Sequence, residues 1–287
     1  MPELPEVETI VNQFQTRIVS STVTDIVFYR DTLRGKIPIS TVKDVLLDQI
    51  ITSCHRRSRY IICTTDRGSI ISHLGMSGRY LFLPSFEPQF PHTHFILKLQ
   101  HPNTDKSEDR YLHYVDPRRF GLLSATTEKN WSSHPLLKDI GLEPLSPSPT
   151  DLAKHFKTVG DKSTQPIKVF LMDAKKVAGI GNIYANEALF LSNIHPFTPV
   201  RDLGLKDLIK LAKAIQKILS EAVLAGGTTI RDYQNAKGQK GSFTNHLKVY
   251  GRHELECLVC HHIIERAVIG SRSTFFCSVC QKPNHLG

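Results

Sequence analysis

The apolar residues of this chain change period part-way along, and neither one sheet nor one bundle can satisfy both rhythms. Short apolar runs occupy 60–65, 69–73, 79–83, 93–99 and 110–115, separated by turn signals such as Asp66-Arg67-Gly68 and by the polar stretch 101–109. Runs of that length between turn residues predict the strands of an antiparallel sandwich or barrel. Ahead of them, Val7, Ile10, Val11, Phe14 and Ile18 recur at helical spacing behind Pro5, which predicts one leading helix. Further on, Leu205, Leu208, Ala212, Ile215, Leu219 and Ala222 form a single helical stripe that Gly226 and Gly227 stop. The Pro- and Ser-rich stretch 143–150 reads as a tether between the two regimes. The expected architecture is therefore an α+β multidomain chain. An N-terminal antiparallel β-sandwich with a leading helix covers 1–135, a linker 136–150, a helical domain 151–251 and a small cysteine module 252–287.

A chain of 287 residues has room for two modest domains, each with a core of its own. No run approaches about 18 apolar residues, and the N-terminus has no basic stretch leading into an apolar one, so the expectation is a cytoplasmic protein with no membrane partner. The net charge of +9 is unevenly spread: residues 1–150 carry 17 Lys and Arg against 16 Asp and Glu, residues 151–287 carry 19 against 11. A surplus confined to one segment suggests a surface for a polyanion, most simply nucleic acid; a solvated basic face is the other reading.

Near the C-terminus, Cys257-x2-Cys260 is followed after 16 residues by Cys277-x2-Cys280. Two such knuckles supply four thiolates in tetrahedral arrangement, the pattern of one closed, structural zinc site. Two disulfides or a redox pair are the alternatives, and cysteine usage in a cytosolic chain disfavours both. His261, His262 and His285 lie near the module, but four cysteines already complete it. Cys54 and Cys63 lie in strand-like stretches and read as small buried apolar residues. Arg266, Arg272 and Lys282 make DNA a suitable partner for the module.

The opening Met1-Pro2-Glu3-Leu4-Pro5-Glu6 carries a second kind of chemistry. Loss of Met1 would expose a proline secondary amine beside carboxylates. An α-amine titrates near pH 7.7–8, so part of it is unprotonated at neutrality and can attack an electrophilic carbon. Proline nitrogen is already doubly substituted, so its adduct with an aldehyde-level carbon is an iminium cation, which acidifies neighbouring protons and favours elimination. The leading helix would also set its positive end near Pro2, favouring the uncharged amine. The plain alternative is that Pro2 and Pro5 only start a helix and Glu6 only complements its dipole.

Six stretches in order resemble one family, the formamidopyrimidine-DNA glycosylases, bacterial base-excision repair enzymes with glycosylase and lyase activity. They are Pro2-Glu3-Leu4-Pro5-Glu6-Val7-Glu8, His73-Leu74-Gly75-Met76-Ser77-Gly78, Asp116-Pro117-Arg118-Arg119-Phe120-Gly121, Gly179-Ile180-Gly181-Asn182-Ile183-Tyr184-Ala185, Gly226-Gly227-Thr228-Thr229 and the four cysteines. The resemblance covers nearly the whole chain. It implies a helix-two-turn-helix element with its turn at 179–185, DNA held in a cleft between the domains, and a damaged nucleotide flipped out of the stack because its reacting atom is inaccessible within the duplex.

The same resemblance distributes roles. Pro2 becomes the nucleophile on the deoxyribose anomeric carbon, Glu3 the acid that protonates the sugar ring oxygen, and Glu6 a supporting carboxylate. Met76 and Phe120 match residues that fill the emptied stack, and Arg118 matches the one that hydrogen-bonds the orphaned cytosine. His73, Asn182 and Arg272 match phosphate-gripping residues, Lys168 a lysine near the flipped nucleotide, and Tyr184 belongs to the DNA-binding set; Arg119 goes to structure or phosphate. The stretch 232–243 is similar to the family's mobile loop over the extruded base.

One position departs from the family. In Arg56-Arg57-Ser58-Arg59-Tyr60 the family has lysine where this chain has Arg59, and a guanidinium holds phosphate but does not give up a proton. The resemblance implies an enzyme acting on duplex DNA with oxidised purines, 8-oxoguanine and formamidopyrimidines, through a Schiff base on Pro2 and β,δ-elimination; with no oligomerisation signal standing out in the sequence, a monomer is expected. An endonuclease VIII-like glycosylase for oxidised pyrimidines and a non-catalytic DNA-binding zinc protein are the other readings.

Overall fold

Helix α1 (Leu4–Arg17) starts with Pro5 in its first turn, where an amide donor has no intrahelical partner to lose, and buries Leu4, Val7, Ile10, Val11 and Phe14 along one stripe. In the computed structural model, which describes residues 1–88, 90–102, 110–228 and 242–282, this helix belongs to the first of two units. The first unit joins Met1–Asp139 to Ala225–Ser242; the second joins Ile140–Leu224 to Phe243–Gly287.

After α1 the first unit runs through β1 (Thr22–Phe28), α2 (Ile39–Leu46), β2 (Ser53–Arg57), β3 (Tyr60–Thr65), β4 (Gly68–His73), β5 (Arg79–Leu83), β6 (Thr93–Gln100), β7 (Arg110–Val115) and β8 (Leu122–Thr126). The strands form two four-stranded antiparallel sheets, ordered β1-β6-β7-β5 and β2-β3-β4-β8. Residues of both sheets, with α1 and α2, share one core, so the sandwich and its leading helix are as expected. Within it the Phe95 and Tyr114 rings stack with centroids 4.9 Å apart, and Phe14 meets Tyr80 edge-on at 5.3 Å. The β2–β3 hairpin closes through Ser58 and Arg59, Ser58 taking a positive φ of 55°, and this short turn fixes where Arg59 projects. On the same strand pair Cys54 faces Cys63, both buried, as expected of small core residues.

The second unit contains α3 (Pro149–Gly160), α4 (Ile167–Met172), α5 (Asn182–Leu191), α6 (Leu205–Leu224) and the hairpin of β9 (Glu265–Ile269) and β10 (Arg272–Phe276). Helix α5 is buried almost all round, from Ile183 to Phe190, so it is the central rod rather than a surface helix. The stretch expected as a tether is instead part of this unit. Gly141 N–H donates to the Ala174 carbonyl, Ala178 N–H to that of Leu142, and the Gln216 amide to those of Pro144 and Pro147. Ser148 and Pro149 are there because they start α3: the Ser148 hydroxyl accepts the Asp151 amide, and Pro149 occupies the first turn. Segment 225–242 likewise groups with the sandwich rather than with the helical domain where its sequence position put it.

Candidate functional site

Pro2 and Pro5 occupy different environments. Pro5 lies inside α1, whereas Pro2 is buried just outside it, ahead of the N-cap Glu3. Glu3 and Glu6 are 3 % and 2 % exposed, and buried carboxyl groups require partners. Both Glu6 oxygens have one: Oε2 accepts the Glu3 amide at 2.8 Å and Oε1 the Thr228 amide at 2.6 Å. Glu6 thus complements the helix start and also fastens the N-terminus to the segment that follows α6. Gly226 and Gly227 deliver that segment with φ of 74° and 83°, and a Cβ on Gly227 would lie 2.9 Å from Glu6 Cγ and Oε1.

Arg59 reaches the same place from the hairpin turn, its Nη1 standing 3.7 Å from Met1 Sδ. An ion pair between Arg56 and Glu8 ties the base of that turn to α1. His73, at the end of β4, is nearly buried and accepts the Gly75 amide on Nδ1 at 2.9 Å. Burial, then the positive charges of Arg34 and Arg59, lower its pKa to about 4, so at neutral pH the ring is uncharged with its proton on Nε2, ready to donate. Once Met1 is gone, the sandwich would hold a secondary amine with a neighbouring carboxyl group, a fixed cation and a neutral imidazole. This set suits attack on an aldehyde-level carbon followed by proton transfers.

A second cluster in the same unit is made of two turns. Met76 and Phe120 are 41 % and 43 % exposed although apolar, and the Arg118 guanidinium lies over the Phe120 ring, 4.8 Å from its centroid. Arg119 takes a left-handed φ of 57°, its amide donating to the Asp116 carbonyl. The exposure of Met76, Arg118 and Phe120 leaves them available to a partner.

In the second unit the expected DNA residues divide. Arg272 is exposed and Asn182 half-buried. Lys168 is fully buried, and its Nζ donates to the Ser273 carbonyl at 3.0 Å and to Thr274 Oγ1 at 2.6 Å, so its charge is used inside the unit, strapping α4 to β10. Asn182 Nδ2 donates to the same Ser273 carbonyl at 3.0 Å. Tyr184, expected in the DNA-binding set, is 1 % exposed and its ring lies against Phe243, in the packing of α5. Of the loop expected at 232–243, residues 232–241 lie outside the described residues, as does His285.

Sequence reasoning passed over three organising groups. Glu187 on α5 accepts the amides of Lys248, Val249 and Tyr250 at 2.8–3.0 Å; burial raises its pKa and those bonds oppose the rise. Its signal was available, since a lone acid in an otherwise apolar helix needs partners. Gln281 donates from Nε2 to the Ile194 carbonyl and accepts the Cys277 amide. Asp116, fully buried, ends β7; before a proline it reads only as a common turn residue.

The four cysteines converge. Cys257 and Cys280 Sγ are 3.9 Å apart, Cys260 and Cys277 Sγ 3.4 Å, and all four sulfurs lie within 4.8 Å of one another. A tetrahedron with metal–sulfur bonds of about 2.3 Å has edges of about 3.8 Å, so the donor set fits a zinc ion. The His262 amide heads the causes that lower the Cys260 thiol to about 7, while burial raises Cys277 and Cys280: four crowded thiolates need a cation to coexist. Among the described residues, the apolar core beside the sulfurs is Phe190, Val249 and Ile264, with half-buried Phe275 packed against it.

The described residues contain no helix long and apolar enough to cross a membrane. Three family models match the chain: the formamidopyrimidine-DNA glycosylase N-terminal domain over 1–123, the formamidopyrimidine-DNA glycosylase H2TH domain over 140–234, and the zinc finger found in FPG and IleRS over 255–283. The chain is 40 % identical over 282 residues to the formamidopyrimidine-DNA glycosylase of Hydrogenovibrio crunogenus, covering 98 % of this chain and 97 % of that one. Among solved structures it is similar to Lactococcus lactis Fpg in complex with DNA containing N7-benzyl-Fapy-dG, with 33 % identity, a TM-score of 0.86 and coverage of 98 % and 100 %. It is also similar to the complex of Lactococcus lactis Fpg with DNA containing an abasic site, with 33 % identity, a TM-score of 0.84 and coverage of 98 % and 99 %.

Proposed function

Because this chain belongs to the formamidopyrimidine-DNA glycosylase family, we propose that it is a bifunctional base-excision repair enzyme, cutting the glycosidic bond of an oxidised purine and then opening the abasic site. The substrates are 8-oxoguanine and formamidopyrimidines in duplex DNA. The observation that carries the reading is the buried Pro2-Glu3-Glu6 constellation beside Arg59.

Removal of Met1 frees the Pro2 nitrogen, whose lone pair attacks C1′ of the flipped nucleotide. The C1′–N bond breaks, and its electron pair leaves with the base, which takes up a proton. Glu3 protonates the ring oxygen as the C1′–O4′ bond opens, giving an iminium between Pro2 and C1′. The cation acidifies the C2′ proton; its loss expels the 3′ phosphate, and a second elimination expels the 5′ phosphate. Glu6 acts by position, holding the Glu3 amide while fastened to Thr228. Arg59 supplies fixed positive charge to a phosphate beside the nucleophile, and neutral His73 donates from Nε2. Met76 and Phe120 fill the vacated stack, Arg118 reads the orphaned cytosine, and Asn182 and Arg272 grip phosphate. Lys168 acts through the β10 strand that carries Arg272. One zinc ion, held by Cys257, Cys260, Cys277 and Cys280, is structural: it supplies the folding energy of the finger and takes no part in the reaction. The enzyme works as a monomer in the cytoplasm, on the nucleoid.

The test is borohydride trapping of untagged protein on a duplex with 8-oxoguanine opposite cytosine, with mass mapping of the linkage and Pro2→Gly as control. An adduct on Pro2 is the expected result. Tight binding without any adduct, after confirmed loss of Met1, would overturn the catalytic reading in favour of lesion binding alone.

A further inference from the structure

The three exposed residues assigned above to the base stack stand on two separate turns, 74–78 and 116–121, and neither turn is held by strand pairing. One side chain joins them. Asp116 is fully buried; its Oδ1 accepts the Ser77 hydroxyl at 2.5 Å and its Oδ2 the Gly121 amide at 2.8 Å. The same Ser77 oxygen accepts the Arg118 amide at 3.1 Å, so two hydrogen bonds through Ser77 cross between the turns, while the Gly121 bond closes the second turn on itself. The backbone of Asp116 is held as well, its carbonyl meeting His94 Nε2 at 2.8 Å and accepting the Arg119 amide at 3.2 Å.

The two turns also touch without room to spare. A Cβ on Gly75 would lie 2.2 Å from the backbone of Phe120; on Gly78 and Gly121 it would lie 2.5 Å and 1.7 Å from the buried Tyr114 hydroxyl. The Asp116 bonds and this close packing therefore oppose a shift of the turn that carries Met76 against the one that carries Arg118 and Phe120. Hydrogen bonds to a charged acceptor are roughly twice as strong as neutral ones, and stronger still in a dry site, which suits a carboxylate for this lock.

We propose that Asp116 is the positioning residue for opposite-base recognition: it fuses the two turns into one rigid wedge, so that Met76 and Phe120 fill the stack in the register that lets Arg118 read the orphaned base. The inference rests on the assignment of those three residues made above. Asp116 touches no DNA; it acts through Ser77, Gly121 and the Arg118 amide.

A duplex with a preformed abasic site already lacks the stacked base, so the wedge matters less there than on 8-oxoguanine. Asp116→Asn keeps the shape, but its NH2 group cannot accept where one of the two carboxylate oxygens did. Ser77→Ala leaves the Gly121 bond intact and removes both bonds through the hydroxyl, the one to Asp116 and the one from the Arg118 amide. Expected in both is a loss of 8-oxoguanine excision opposite cytosine of about tenfold, the scale of one charge-assisted hydrogen bond. The preference for cytosine over adenine opposite the lesion should fall with it, while trapping on abasic DNA stays within about twofold of wild type. A purely architectural Asp116 would lower excision and trapping together and leave the base preference unchanged; that result, or wild-type preference in both variants, overturns the proposal. Wild-type protein that excises normally but ignores the opposite base would instead overturn the role given to Arg118.

Discussion

At the residue scale, His73 and Gly227 show how the site is preset. The folded pKa of His73, about 4, lies below the ordinary value near 6.5, so between those pH values the unfolded chain binds a proton that the native chain refuses. Stability from this group is complete above about pH 6.5 and declines as pH falls towards 4, by about 3 kcal/mol in all. Thermal unfolding across that range should show a shallower decline for His73→Gln, which can still accept the Gly75 amide and does not titrate. Gly227 has a left-handed φ and no room for a Cβ beside Glu6, so Gly227→Ala should cost about 2 kcal/mol and reduce trapping on Pro2; unchanged trapping at full occupancy of DNA would contradict the Glu6 fastening. Arg59→Lys probes the family departure. If proton transfer matters at this position the lysine speeds base release or elimination, and equal rates at every step leave Arg59 a purely electrostatic role.

At the element scale, legibility followed exposure and length. Helix α1, strands β3 to β7 and helix α6 announced themselves because a long stripe or a clean apolar run survives without tertiary knowledge. Strand β1 hid because Asp25 and a register shift interrupt it, α2 because eight residues give barely two turns, and α3 because its Ser148-Pro149 start imitates a linker. Among site residues, the convergence of the four cysteines was readable from their spacing alone. The burial of Tyr184 and Lys168 was not legible, because nothing in a motif says which way a side chain faces. The cysteine finger is the element most dependent on a ligand, its core being too small to stand alone. One zinc per chain should be found by elemental analysis. Chelation should melt the β9–β10 hairpin and weaken duplex binding by at least about tenfold, the equivalent of one or two charge-assisted contacts.

At the scale of the whole molecule, the basic surplus of residues 151–287 predicts strong salt dependence for undamaged duplex. Arg272→Ala should lower the slope of log K against log salt by about 1, weakening all sequences alike, whereas Asp116→Asn should leave that slope unchanged. The first unit is also discontinuous in the chain: Met1–Asp139 is completed by Ala225–Ser242, and the bond from Thr228 to Glu6 spans 222 residues. On the ribosome, residues 1–139 therefore emerge long before Thr228 can donate to Glu6. Helices α3 to α6 must all be synthesised before Thr228 reaches Glu6, so a nascent or truncated chain ending at Asp139 displays Pro2 on an unfinished support. A chain interrupted before Thr228 therefore carries Pro2 and Glu6 without the amide that Glu6 Oε1 accepts in the finished fold.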